Sequence, residues 1–228
     1  MKPLNKEELK QLKEYYRIGL TYANNAIEDN SLTETETKIV LEDGITIGGK
    51  PLKDHFEAVG HSDAFDLMLK LSKKSGFNEK DILELHRLFY RRIDEKNAGK
   101  YRKVRVFITG SAFNVPPPSK IKALMNEFIH ERNMLKKNNH PVVYAALVHK
   151  QFVMIHPFID GNGRTARLLM NLVLLQEKFQ IAIIPPVLRN EYISALEKCH
   201  NNNDKDFIKL IINAVLESQR DYLRLFNW

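Results

Sequence analysis

The chain has 228 residues, enough for one well-filled domain that buries ~70% of the surface its unfolded form exposes. Hydrophobic residues make up 43% and charged residues 28%, with no low-complexity tract and no apolar run of about 18 residues, which excludes the disordered and helical-membrane classes. The formal net charge of +7 admits a nucleic-acid binder, but acidic residues separate the basic patches at 73–75, 90–92, 100–103 and 136–138, and no helix-turn-helix or zinc-finger spacing is present.

Taken in chain order, Asn5 and Glu8 stand at capping-box spacing, and the stretch after them reads as one helix to about Asn25. Gly44 to Lys50 suggests a short hairpin on the surface. Helical apolar spacing then covers 53–74 and 79–94, with Gly76 closing the first and Asn78 with Asp81 capping the second. Residues 104–109 (Val104, Arg105, Val106, Phe107, Ile108, Thr109) alternate apolar and polar side chains, the period of a half-exposed strand. An edge strand of this kind can register an extended peptide through main-chain hydrogen bonds, and the same alternation fits a hairpin that merely covers the core. Helical spacing resumes at 119–136, after three prolines, and continues at 141–155, 164–179, 188–200 and 204–225. The expectation is a mainly α fold with one small hairpin.

The densest chemistry lies between the helices at 141–155 and 164–179, where residues 156–167 read His-Pro-Phe-Ile-Asp-Gly-Asn-Gly-Arg-Thr-Ala-Arg. Gly161 and Gly163 punctuate a loop that feeds a helix N-terminus, whose unpaired N–H groups and partial positive charge suit an anion. Asn162, Gly163 and Arg164 are the candidate phosphate nest, and Arg164 with Arg167 can offer forked, charge-assisted hydrogen bonds to a diphosphate or triphosphate. Asp160, just before the nest, becomes a ligand for Mg²⁺ beside a polyphosphate. His156, at the mouth of the loop, can take a proton from an attacking hydroxyl. His149 and His156 are seven apart, but no carboxylate or cysteine lies between them to complete a zinc set, so His149 is expected to pack under the loop. Cys199, the single cysteine, sits in an apolar helical pattern and reads as a buried thiol.

The run at 156–167 resembles the signature of Fic-domain proteins, HPFx(D/E)GNGRxxR, and fills every fixed position of it. Leu-His-Arg-Leu-Phe at 85–89, Ala-Gly-Lys-Tyr-Arg at 98–102, the segment 104–111 and the prolines at 116–118 are similar to the helix, loop and flap hairpin that precede the motif in that family. The resemblance implies a Fic-type helical bundle and transfer of AMP from ATP to a Tyr, Thr or Ser hydroxyl of a target protein or of the chain itself. It makes His156 the base, Asp160 the holder of Mg²⁺, Gly161, Asn162 and Gly163 the phosphate cradle, and Arg164 and Arg167 the grip on the β and γ phosphates. It implies that residues 104–109 dock the target.

Residues 26–33 are similar to the inhibitory motif (S/T)xxxE(G/N) of Fic proteins whose brake lies on the N-terminal side, which would make Glu28 a carboxylate competing for Arg167. Asn24 stands where the pattern has Ser or Thr, and Asp29 where it has Gly or Asn. The same glutamate could place water for removal of AMP, so an AMP-removing hydrolase and a non-catalytic nucleotide-binding regulator stand as alternatives, with a nucleic-acid binder behind them. The organisation expected is a segment 1–79, carrying the N-terminal helices, the inhibitory stretch and the small hairpin, and a catalytic core with C-terminal helices at 80–228, forming one compact unit. With no signal-peptide pattern the expected location is cytoplasmic, with ATP and a protein substrate as partners, no membrane, and room for a homo-oligomer.

Overall fold

Capping chemistry starts the first helix where the sequence places it. Asn5 accepts from the Glu8 N–H at 2.9 Å, and the Glu8 carboxylate accepts from the Asn5 N–H at 2.7 Å, opening α1 (Lys6–Ala26). The same reciprocal pair between Thr33 and Glu36 opens α2 (Glu34–Glu42). That second helix was not expected from apolar spacing, which nine residues with two buried positions hardly display; its Thr-x-x-Glu cap was the legible signal. There follow α3 (Leu52–Leu71), α4 (Glu79–Tyr90), α5 (Pro118–Asn138), α6 (Pro141–Ile155), α7 (Asn162–Gln176), α8 (Arg189–Cys199) and α9 (Lys205–Leu225). This computed structural model describes residues 4–108, 111 and 113–226, and among them it is mainly α, as expected, with no strand.

The bundle is organised around α7. Ala166, Leu168, Leu169, Met170, Leu172, Val173 and Leu174 are all at most 1% exposed, so this helix is apolar around most of its circumference and lies inside the others. Helix α6 covers it most extensively, α3 and α4 pack on it from the N-terminal part of the chain, and α9 backs α6. Asn171 ties the chain that leaves α7 back onto it, exchanging two hydrogen bonds with the backbone of Ala182 at 2.7 and 3.0 Å.

Two expected hairpins are corrected. At 44–50 there is a turn with no strand, in which Gly44 and Gly49 take left-handed φ and the Ile47 N–H donates to His55 Nε2 at 2.8 Å. Seven residues with three glycines cannot supply two paired arms. The flap segment 104–108 likewise has no strand; Thr109 lies outside the described residues. Its alternation is real, but among the described residues no main-chain ladder joins it to the returning stretch 113–117. Gly76 also does not end α3, which stops at Leu71; it packs instead under the Arg132 guanidinium.

Helices α3 and α4 cross at Gly60. A Cβ there would fall well inside contact with the Phe89 carbonyl, which is backbone and cannot rotate away. Phe89 in turn packs against the loop before α7, so this crossing sets the position of the site. Gly60→Ala is expected to destabilise the protein by about 1–3 kcal/mol, the cost of overpacking, read as a lower denaturant midpoint at unchanged slope.

Candidate active site

Because α7 is buried, the charged side chains of its first turns must find partners inside the protein. Arg167 is 1% exposed, and all three nitrogens of its guanidinium donate hydrogen bonds, four in total. Nε donates to Asn24 Oδ1 at 3.0 Å, Nη2 to the Asn24 carbonyl at 2.8 Å and to Glu28 Oε1 at 2.7 Å, and Nη1 to the Tyr192 hydroxyl at 3.1 Å. Arg164, 3% exposed, sits 4.4 Å above the Phe89 ring, with Nη1 2.8 Å from Glu57 Oε1 and Nη2 3.5 Å from Asp160 Oδ1. The two arginines therefore meet separate carboxylates rather than one shared anion.

Burial by itself would raise the Glu28 carboxyl, but Arg167, followed by Arg164, outweighs it and holds the group below the usual carboxylate range. Glu28 is charged at neutral pH, and its side chain, 35% exposed, reaches the wall of a cavity. One oxygen rests so close to Gly163 that a Cβ at that position would overlap it, so the glycine admits this carboxylate. The turn holding Glu28 is built by Asp29 at φ +65°, which explains why glycine or asparagine suits that position and why an aspartate there is tolerated.

The loop before α7 is braced from three sides. Asn162 accepts from the Phe158 N–H at 2.9 Å and donates to the Phe158 carbonyl at 3.0 Å, so its side chain closes the loop and leaves the backbone N–H groups to face outward. The first helical bond is Thr165 N–H to the Gly161 carbonyl, which leaves the N–H groups of Asn162, Gly163 and Arg164 ahead of the helical ladder. Gly161, at φ +76°, lies against Phe89 and His86, where a Cβ would come within 2.9 Å of the Phe89 ring. His86 accepts from the Gly99 N–H at Nδ1, so Nε2 carries the proton and donates to the Asp160 carbonyl at 3.1 Å; its ring stacks on Phe158 at 3.7 Å. Asp160 accepts from the Gly161 N–H at 2.6 Å, and its side chain stays 45% exposed.

His156 closes α6 in the left-handed region, φ 49° and ψ 58°, a conformation that costs a non-glycine residue about 1–3 kcal/mol and persists only where its surroundings enforce it. The enforcing group is Arg102, 4% exposed, whose Nε donates to the His156 carbonyl at 2.8 Å, while Nη1 and Nη2 donate to the carbonyls of Val104 and Pro116. Burial lowers the His156 imidazole to about 4, and the Val153 carbonyl, Glu28 and Asp160 offset only part of this. It is neutral at physiological pH and can accept a proton.

Glu28, His156 and Gly163 line one cavity of about 420 Å³ with Ile108, Phe113, Arg189, Tyr192 and His200. Of the expected site residues, the structure thus brings His156, Gly163, Glu28 and the flap residue Ile108 to a common wall, and sets Arg164 and Arg167 behind it. Val104 and Phe107 project to solvent, at 54% and 87% exposure. A cation-binding trio of His, Cys, Asp or Glu is absent among the described residues. Sequence reasoning assigned no role to Glu57, His61, His86, Arg102, Arg189 or Tyr192. Only His86 and Arg102 had a signal, since both fall inside segments that matched the family pattern. His149 is buried, but its contacts run to Tyr192 in α8, whose hydroxyl is 2.9 Å from Nε2, and to the Phe207 ring in α9; the Cys199 thiol is buried and pushed up to about 11, burial being the largest cause.

Comparison with known proteins fits this geometry. Residues 76–174 match the Fic/DOC family. The chain is 37% identical over 209 residues to a protein adenylyltransferase Fic of Drosophila grimshawi, covering 89% of this chain and 42% of that relative. It thus spans about two-fifths of the length of the curated relatives it matches. Among solved structures, Fic-1 of Caenorhabditis elegans superposes with a TM-score of 0.90 at 29% identity, over 99% of this chain and 68% of that one. A Fic-domain signaling protein of Bacteroides thetaiotaomicron does so at 0.87 and 28%, over 95% and 89%.

Four histidines around the site are neutral, His61, His86 and His149 being buried and His156 partly so. His61 is lowered to about 3 and His86 and His156 to about 4, and His149 is lowered well below its ordinary value, with burial the largest cause in each. Each binds its proton more readily when the chain unfolds, so the stability they contribute is complete above the ordinary value of 6.5 and is lost as pH falls toward 4. The melting temperature is expected to fall steadily over that window. His61→Gln should flatten the slope by about 1.4 kcal/mol per pH unit, one proton's worth, between roughly pH 6.5 and 4; an unchanged slope would refute the assignment.

Proposed function

Since this chain belongs to the Fic/DOC family, we propose that it transfers AMP from ATP to a side-chain hydroxyl of a protein, and that Glu28 holds the transfer in check. The observation that carries this reading is the shared cavity. A neutral His156, a helix N-terminus with free N–H groups and a carboxylate paired to Arg167 meet at one wall.

His156 takes the proton of the attacking hydroxyl as its oxygen bonds to the α-phosphorus, and the bond to the bridging oxygen breaks to release pyrophosphate. The N–H groups of Asn162 and Gly163 stabilise the phosphate charge at the start of α7. Arg164 and Arg167 are the cations available to the outer phosphates, once each exchanges its carboxylate partner for a phosphate oxygen. Asp160 fits a Mg²⁺, being a half-exposed hard oxygen donor beside the phosphate nest, and such an ion bound there would neutralise phosphate charge.

While Glu28 holds Arg167, the γ-phosphate lacks its guanidinium and the α-phosphorus is not aligned for attack. The same charged carboxylate on the cavity wall also supports a second reading, in which Glu28 orients water to remove AMP from a modified protein. The target is expected to lie along the segment 104–108, whose Ile108 lines the cavity. The partners proposed are therefore ATP and a protein bearing a reactive hydroxyl, the chain itself included, in a cytoplasmic setting.

Incubation with α-labelled ATP and Mg²⁺ tests the proposal. Glu28→Gly should raise labelling about ten- to a hundred-fold, the factor of one charge-assisted hydrogen bond to a charged group. His156→Ala in that background should lower it by about 10²–10⁴ while leaving ATP binding in place. Folded Glu28→Gly protein that labels neither itself nor any protein of a lysate would sink the reading, and AMP released from a labelled target in a Glu28-dependent manner would establish the hydrolytic one.

A further inference from the structure

Glu28 is not held by Arg167 alone. The backbone that carries it is gripped from the opposite wall of the cavity by Arg189, the first residue of α8. Its Nε donates to the Ile27 carbonyl at 2.7 Å and its Nη2 to Asp29 Oδ2 at 2.9 Å, so one guanidinium clasps the residues on either side of Glu28. The Ile27 carbonyl lies at the C-terminal end of α1, where the helix offers no further N–H to it, and Arg189 supplies the missing donor. Asp29 is 78% exposed and Arg189 41%, which places the ionic half of this clasp in water and the hydrogen-bonded half nearer the protein.

We propose that Arg189 and Asp29 form a latch on the brake, making both of them positioning residues that set how firmly Glu28 rests on Arg167. The idea rests on the proposed role of Glu28. The turn Ile27–Asn30 is short, and its other ties lead elsewhere: Asn30 donates to the Asp54 carbonyl and to Glu57, and Ser31 binds the Asp54 carboxylate. Those contacts fix the exit of the turn against α3. Among the described residues, the hydrogen bonds that fix the part bearing Glu28 against α8 come from Arg189, and Tyr192 of the same helix shares the Arg167 guanidinium. Opening the clasp frees Glu28 to leave while Asn24 and Tyr192 keep Arg167 in place. The aspartate at position 29 is thereby more than a tolerated substitute for glycine or asparagine, since it adds an anion that neither of those residues provides.

Asp29→Asn removes the charge without disturbing the turn, because asparagine tolerates left-handed φ, and it leaves the Arg189 bond to the Ile27 carbonyl in place. Labelling by α-labelled ATP is expected to rise about two- to five-fold over the parent chain, the factor a surface ion pair supplies. The same substitution added to Glu28→Gly should change nothing. No rise in the parent chain, or an equal rise in the Glu28→Gly background, would overturn the latch. Amide hydrogen exchange at Glu28, Asp29 and Asn30 gives a readout independent of catalysis. Exchange should quicken in Asp29→Asn, and quicken with salt in the parent chain only. Should Glu28→Gly itself prove inactive, the transfer reading fails while exchange still decides the latch, with unchanged protection counting against it.

Discussion

Everything at this site depends on one guanidinium that has nowhere else to go. Arg167 is carried into the centre of a bundle by a helix apolar on nearly every side, and a buried cation is tolerated only with its donors satisfied. Two of its partners are neutral, Asn24 and Tyr192; the third, Glu28, is charged and reaches the cavity, which on the proposed reading makes it the one that another anion replaces. That division lets the arginine stay put while its anionic partner changes. An arginine with only carboxylate partners would be left uncompensated each time the carboxylate moved away.

The neutral partners are themselves supported. Asn24 uses its oxygen for Arg167 and its amide nitrogen for His61 Nε2 at 2.8 Å, which leaves the His61 Nδ1 proton for Thr21 at 2.9 Å. On the other side Tyr192 accepts from Arg167 and turns its own hydrogen toward His149. A line of hydrogen bonds therefore runs from α1 and α3 through α7 to α8 and α6, and each histidine in it is kept neutral by burial and by the nearby arginine charge. The asparagine found where the family pattern has Ser or Thr suits this arrangement, because its side chain accepts from one neighbour while donating to the other.

Much of this was legible in the sequence. The helices at 5–25, 79–94, 119–136, 141–155 and 204–225 were readable because caps, prolines and a 3.6-residue apolar period agree over long stretches. The run 156–167 was readable as a loop entering a helix because its glycines sit where left-handed φ and close packing require them. What the sequence could not convey was burial. Arg164 and Arg167 look like the polar face of a surface helix until the packing of α3, α4 and α6 around α7 is known, and only then do Glu57 and Glu28 become obligatory partners. Glu57, His61 and Arg189 lie far from the motif in sequence and carry no spacing signal of their own. The two hairpins failed for a complementary reason: alternation reports which way side chains point, whereas a strand also needs a neighbouring arm to complete its ladder, which the seven residues 44–50 are too few to supply and which 104–108 lacks among the described residues.

Arg102 is bonded differently from Arg167 and Arg189. Its three side-chain bonds all end on backbone carbonyls, one behind His156 and one at each end of the segment that flanks the cavity mouth. Carbonyls neither titrate nor attract counterions, so this joint keeps the same geometry across pH and ionic strength. The protein thus combines a frame built from a cation and dipoles, indifferent to solution conditions, with a restraint built from cations and carboxylates, which responds to them. On the proposed reading, the spacing between His156 and the segment from Val104 to Pro116 is held constant while access to the reaction is left adjustable.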